Sequence, residues 1–130
     1  MHVVAVHEHD LPGPARLVAA EAVVDRAEYR KGALPADTVG VFGEDGRHKA
    51  PLYVPYRQLL PKGVDNLLCA GRMLGEPDTC DTFRLICPCF VTCEAAGTAA
   101  ALCAKRGVAP RCLDIDYRQT ALRSAGVYIG

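Results

Sequence analysis

Between Leu85 and Ala104 lie twenty consecutive residues of which only Glu94 is charged. The second part of this run, Glu94-Ala95-Ala96-Gly97-Thr98-Ala99-Ala100-Ala101-Leu102-Cys103-Ala104, is so rich in alanine that it predicts a helix. Lys105 and Arg106 complement the dipole at its C-terminal end, Gly107 stops it, and Pro88 suits its first turn. Twenty residues would also be long enough to cross a bilayer. Alanine, Gly97, Thr92, Thr98 and the cysteines supply little transfer energy, however, and Glu94 sits mid-run, so the expectation is a buried helix of a soluble protein without a membrane partner. Cys93, Gly97, Ala100, Ala101 and Ala104 leave this helix slim on nearly every side, which predicts close packing against something large. Its start, Pro88 to Phe90, combines unpaired N–H groups with about half a positive charge, a site suited to a phosphate, a carboxylate or negative charge developing on a cofactor ring. A core helix packed on a sheet satisfies the same composition.

The remaining elements are short. Ala15 to Arg30 carries Leu17, Val18, Ala20, Val24 and Ala27 at roughly helical spacing, predicting an amphipathic helix that ends at Gly32, with Pro35 preventing its resumption. Thr38 to Phe42 and Leu52 to Tyr56 read as the arms of a loose hairpin around an Asp45-Gly46 turn. After a Pro61-Lys62-Gly63 turn, Leu67-Leu68-Cys69-Ala70 reads as a short buried strand that Gly71 ends, where a side chain would obstruct an approaching backbone or ligand. Met73 to Thr82 reads as loop. Asp114 is placed to cap a helix running through Tyr117 and Leu122 to Gly126, and Val127 to Ile129 reads as extended.

The whole chain has 130 residues, enough for one small domain, and its fifteen basic and fifteen acidic residues cancel. Zero net charge provides no footprint for nucleic acid. The Met1 to Asp10 start lacks the basic and apolar regions of a secretory signal, and the seven cysteines are odd in number, so reduced thiols and a cytoplasmic location are expected. Cys87, Cys89 and Cys93, with Cys80 as a fourth ligand, raise the alternative of a zinc or iron-sulfur module. The spacing holds neither a C-x2-C pair nor a ferredoxin run, and buried thiols or one redox-active thiol are the other readings. His2, His7, His9 and His48 read as solvated surface residues.

Several motifs occur together and in order: Tyr53-Val54-Pro55-Tyr56-Arg57, then Leu59-Leu60-Pro61-Lys62-Gly63-Val64-Asp65-Asn66-Leu67-Leu68-Cys69-Ala70-Gly71-Arg72, then Arg84, Cys89 and Glu94-Ala95-Ala96-Gly97-Thr98-Ala99-Ala100-Ala101. From about Pro51 to Gly126 this resembles the C-terminal section of the FAD-dependent oxidoreductases often named after the flavoprotein component of heterodisulfide reductase. Asp25, Gly32, Pro35 and Asp37 extend the likeness more weakly. The resemblance implies an α/β fold, here an α+β fragment: the C-terminal part of a two-domain FAD-binding oxidoreductase without its N-terminal Rossmann βαβ unit. Residues 1–50 would be a remnant of a substrate or cap domain, and residues 51–130 the C-terminal segment of the FAD domain. It also implies that Ala70, Gly71 and Arg72 lie beside the flavin's linker and pyrophosphate. Arg84 to Phe90, with Arg84, Pro88, Cys89 and Phe90 as contacts, would line the isoalloxazine, and the following helix would aim its positive end at the ring's pyrimidine edge. For Arg72 and Arg84, a salt bridge at a domain interface is the competing role.

Departures from the family pattern bear on the substrate, a small molecule that the sequence does not identify. The segments Glu76-Pro77-Asp78-Thr79 and Asp37-Thr38-Val39 lack the histidines usual there, and Cys87-Pro88-Cys89 replaces a proline-threonine-cysteine order. No G-x-G-x-x-G spacing occurs in the sequence, although such enzymes grip the FAD pyrophosphate with one. The expected partner is therefore an FAD-binding N-terminal domain, in cis if the chain is a fragment and in trans if it is a separate polypeptide. The fragment is the favoured expectation, because a free-standing chain would expose the helix and strand that normally pack on that domain. A non-catalytic interaction module is the remaining alternative.

Overall fold

The computed structural model describes residues 16–43, 50–75 and 79–130. The Met1 to Asp10 start, all four histidines, the Asp45-Gly46 turn and Glu76-Pro77-Asp78 lie outside the described residues. The fold is mixed α+β: helix α1 (Arg26–Arg30), strands β1 (Thr38–Phe42) and β2 (Leu52–Pro55), then α2 (Cys80–Phe83), α3 (Ile86–Arg106) and α4 (Ile115–Ser124). Single 3-10 turns at Tyr56–Leu59 and Pro110–Cys112 link these elements.

The expected hairpin forms, with β1 antiparallel to β2 and an irregularity between Thr38 and Gly40. It pairs residues from both sides of position 50. On it lies the alanine-rich helix α3, whose buried residues Pro88, Thr92, Ala95, Ala99 and Cys103 recur at intervals of three and four and so form one stripe. Contact with the sheet is close because Gly40 has no side chain: a Cβ there would collide with Val91 Cγ1. Val39, Leu52, Val54, Leu59, Leu74, Phe83 and Leu122 are almost wholly buried around this contact. Each such side chain stabilises the fold by about 1.5–3 kcal/mol relative to leaving it in water. Phe42 and Phe83 meet edge to face at 5.5 Å.

Helix ends follow local chemistry. Gly107, at φ +66°, closes α3, and the N–H of Val108 reaches the Cys103 carbonyl at 3.2 Å. The Asp114 side chain accepts the Tyr117 N–H at 2.8 Å and caps α4 as expected. From α4, the buried Gln119 amide donates to the Ala36 and Thr38 carbonyls at 3.0 and 3.1 Å and ties the helix to the start of β1. Arg118, 1% exposed, stacks on the Tyr56 ring at 3.7 Å. Burial of Tyr56, helped by the nearby Cys103 and only partly opposed by the Arg118 guanidinium, pushes its phenol up to about 12, so it stays protonated and donates to the Pro110 carbonyl at 3.0 Å.

One expected element is overturned. Of the helix expected from Ala15 to Arg30, only α1 forms, and it begins after Asp25, whose Oδ1 accepts the Glu28 N–H at 2.7 Å. The residues before it run extended instead. Ala20 bridges Pro61 in antiparallel fashion, Glu21 donates to the Leu60 carbonyl at 2.9 Å, and Lys62 donates to that of Ala19 at 2.8 Å. Pairing with the chain leading to Gly71 outweighs a modest helix propensity, and it buries Ala20 and Val24. Another difference concerns Met73 to Thr82, read as loop, which ends in the short helix α2.

Asp37 anchors the entry to β1. Its carboxylate, in a residue 5% exposed, accepts the Arg57 backbone N–H at 3.1 Å and the Arg57 side chain at 3.0 and 3.3 Å. Burial by itself would raise the Asp37 pKa, but the Arg57 hydrogen bonds and charge outweigh it, and the net shift is downward. A carboxyl depressed on folding contributes stability above its unfolded value near 3.9, and that stability is lost as pH falls through the folded value. Asp37→Asn is therefore expected to cost about 1 kcal/mol at pH 7, after allowance for screening of the half-exposed Arg57, and clearly less at an acid pH below the folded value. Urea unfolding at both pH values checks this; an equal cost at both would show that the charge is not what stabilises.

Candidate functional site

The segment expected as a buried strand, Leu67 to Ala70, is extended but makes no ladder among the described residues. Cys69 donates its N–H to the Leu59 carbonyl at 2.8 Å. Neither the Leu68 nor the Ala70 N–H meets an acceptor among the described residues. Leu67 is 46% exposed and the next three residues are half-buried, in place of the full burial expected.

At its end the backbone turns through Gly71, at φ +88°, a conformation that suits glycine, with nothing within 4 Å of where a Cβ would stand. The Gly71 N–H donates to Thr92 Oγ1 at 3.0 Å. Thr92 lies in the second turn of α3, and its hydroxyl reaches the carbonyls of Pro88 at 2.8 Å and Cys89 at 3.2 Å. The strand end and the helix start, far apart in sequence, are thus fastened by one buried hydroxyl.

Around this junction the expected contacts divide. Ala70, Gly71 and Cys89 are half-buried, Pro88 is buried, and Arg72 and Phe90 are exposed, Phe90 to 72%. Arg72 has no ion pair or hydrogen bond among the described residues, whereas Arg84 pairs with Asp81 at 3.0 Å in an exposed bridge. α3 begins at Ile86, two residues before the expected start at Pro88. The Leu85 cap position supplies no side-chain bond, Pro88 has no N–H and the Cys89 N–H already donates to the Leu85 carbonyl at 3.2 Å. The N–H groups without an intrahelical acceptor are therefore those of Ile86 and Cys87 rather than those expected at Pro88 to Phe90. Exposed Leu85, Ile86 and Met73 border the same end.

Away from its buried stripe, α3 shows Cys93, Glu94, Gly97, Ala100, Ala101 and Ala104 to solvent. Among the described residues, the helix expected to be buried is thus covered on one side only, chiefly by β1 and α4. It is long and apolar enough to cross a membrane by length and composition alone. Towards its C-terminal half an open groove of about 670 Å³ runs between Asn66, Leu67 and Leu68 on one side and Ala100, Cys103 and Ala104 on the other. None of the expected flavin contacts lines that groove; they gather at the opposite end of the helix.

Cys87 and Cys93 are exposed and Cys89 is half-buried, its thiol 3.7 Å from the Phe83 carbonyl. Among the described residues no group of three or more His, Cys, Asp or Glu side chains is arranged to hold a metal ion. Burial raises the thiol pKa of Cys69, and burial is also the main cause of the rise at Cys103, so neither is activated as a thiolate.

Two side chains that shape this junction escape sequence reading. Thr92 resembles the other small residues of its helix, and only the fold brings Gly71 to it. Arg111 pairs with Glu21, bonds Asp65 at 3.1 Å, and donates to the Pro61 and Val64 carbonyls at 2.6 and 3.0 Å. It holds the turn that launches the Leu67 segment.

A family model described as FAD dependent oxidoreductase matches residues 31–122, more than half of the chain. No curated protein and no solved structure matches it.

Proposed function

Since this chain belongs to the FAD dependent oxidoreductase family, we propose that it forms one wall of a flavin site whose other wall is an FAD-binding N-terminal domain carrying the G-x-G-x-x-G turn. The observation that carries this is the Gly71–Thr92 bond, which brings the two elements expected beside the flavin to one place. The residues there fit the cofactor: a glycine with open space where a side chain would project, an arginine without an ion pair or hydrogen bond among the described residues, and a long helix whose cap residue, Leu85, makes no side-chain bond. In this proposal Ala70, Gly71 and Arg72 hold the linker and pyrophosphate, and Arg84, Pro88, Cys89 and Phe90 border the ring. FAD, when bound, supplies the two-electron redox chemistry. The chain's part is to orient the cofactor, to exclude water with Phe90, Ile86 and Met73, and to present the helix dipole to the ring. A dipole so placed favours added negative charge by about 0.3–2 kcal/mol.

The partner is also part of the proposal. The unpaired edge of Leu68 and Ala70 suits a strand of the FAD-binding domain, and the groove beside it suits that strand's apolar side chains. The Tyr53 to Arg72 and Glu94 to Ala101 strings favour the subgroup named after the heterodisulfide reductase flavoprotein, and a small-molecule substrate. Co-expression with an FAD-binding half of the family is expected to yield a yellow complex with one FAD per pair, while the chain purified by itself is colourless. A colourless complex, or none, would exclude the proposal.

A further inference from the structure

We infer that Thr92 is a positioning residue of the flavin site, acting through Gly71 and the first turn of α3; the inference rests on the function proposed above. The direction of the bonds determines what the hydroxyl must do. An amide N–H can only donate, so at 3.0 Å from Gly71 N the Thr92 oxygen is the acceptor. Its own proton is then committed to the helix, where the Pro88 carbonyl at 2.8 Å is the nearer acceptor and that of Cys89 lies at 3.2 Å. The side chain is fully buried, so water does not compete for either bond.

One oxygen therefore sets both the height of the Gly71 turn over α3 and the path of the helix backbone at Pro88 and Cys89. Ala70 and Arg72 follow Gly71, and Cys89 and Phe90 follow the helix. No other hydrogen bond joins the Ala70–Arg72 turn to α3 among the described residues. Valine keeps the shape of threonine and loses both bonds, whereas serine keeps both.

The test uses the chain paired with an FAD-binding half of the family. Thr92→Val is expected to weaken FAD binding about tenfold and to alter the flavin absorption spectrum, the result of losing the bond to Gly71 together with the hydroxyl's bond to the helix, which loosens the turn. Thr92→Ser is expected to bind as the parent does. Amide hydrogen exchange on the chain itself supplies a readout without cofactor: the Gly71 N–H is protected in the parent and the serine variant, and exchanges at least about tenfold faster in the valine variant. Exchange at open-chain rates in the parent would overturn the inference even if the valine variant did not fold. So would unchanged FAD affinity and spectrum in a folded Thr92→Val, or equal losses in the valine and serine variants. If the parent pair itself holds no FAD, the proposed function fails and this inference with it, a result distinguished by its appearance before any substitution.

Discussion

Gly71→Val is expected to abolish measurable flavin retention in the paired complex, a loss of at least about a hundredfold or roughly 3 kcal/mol. Two effects add. At φ +88° a β-branched side chain strains the backbone, which costs about 1–2 kcal/mol. The new side chain also projects into the space that the proposed cofactor enters, where no described residue other than its chain neighbours lies within 4 Å of the added Cβ. Gly63→Val separates the two effects, because Gly63 has a similar φ of +74° and equally open surroundings but lies in the Pro61-Lys62-Gly63 turn. It should lower stability by a similar amount and leave the flavin in place. Full FAD retention by the Gly71 variant, measured by absorbance after gel filtration, would show that this turn does not face the cofactor.

Gly40→Ala is expected to destabilise the chain by about 1–3 kcal/mol through overpacking. The added methyl would collide with Val91 Cγ1, so α3 must move away from β1 or Val91 must leave its rotamer. Thermal unfolding reads the cost, and Val91→Ala in the same chain should recover most of it by vacating the space. A midpoint unchanged by Gly40→Ala would mean that α3 does not lie on β1 at this depth. Because Thr92 follows Val91, the double variant also reports whether the helix seat matters to the flavin.

Parts of this fold are legible in single stretches. Alanine density, Lys105 and Arg106 with Gly107, and the Asp114 cap mark α3 and α4 because helix propensity and capping act over a few residues. The β-branched runs of the hairpin are read the same way. Residues 16–25 show where this stops. Val18, Ala20, Ala22 and Val24 alternate with more exposed neighbours at Glu21 and Asp25, a period of two that roughly helical spacing of apolar residues concealed. Backbone pairing with residues 57–62 selected the extended form. The candidate site divides likewise: Gly71 and the start of α3 are identified by turn chemistry and family pattern, while Thr92 and Arg111 acquire their roles from segments distant in sequence.

What the amino-acid order determined by itself is local: how α3 ends at Gly107 and where Asp114 caps α4, which glycines can turn, and which strings carry the oxidoreductase family's pattern. Tertiary structure alone decided that Gly71 meets Thr92, that Arg111 clamps the turn before Leu67, and that one face of α3 is covered while the other is open. Helix caps and turns are settled by neighbours a few bonds away, whereas these contacts depend on hydrogen-bond partners that only chain folding brings within reach.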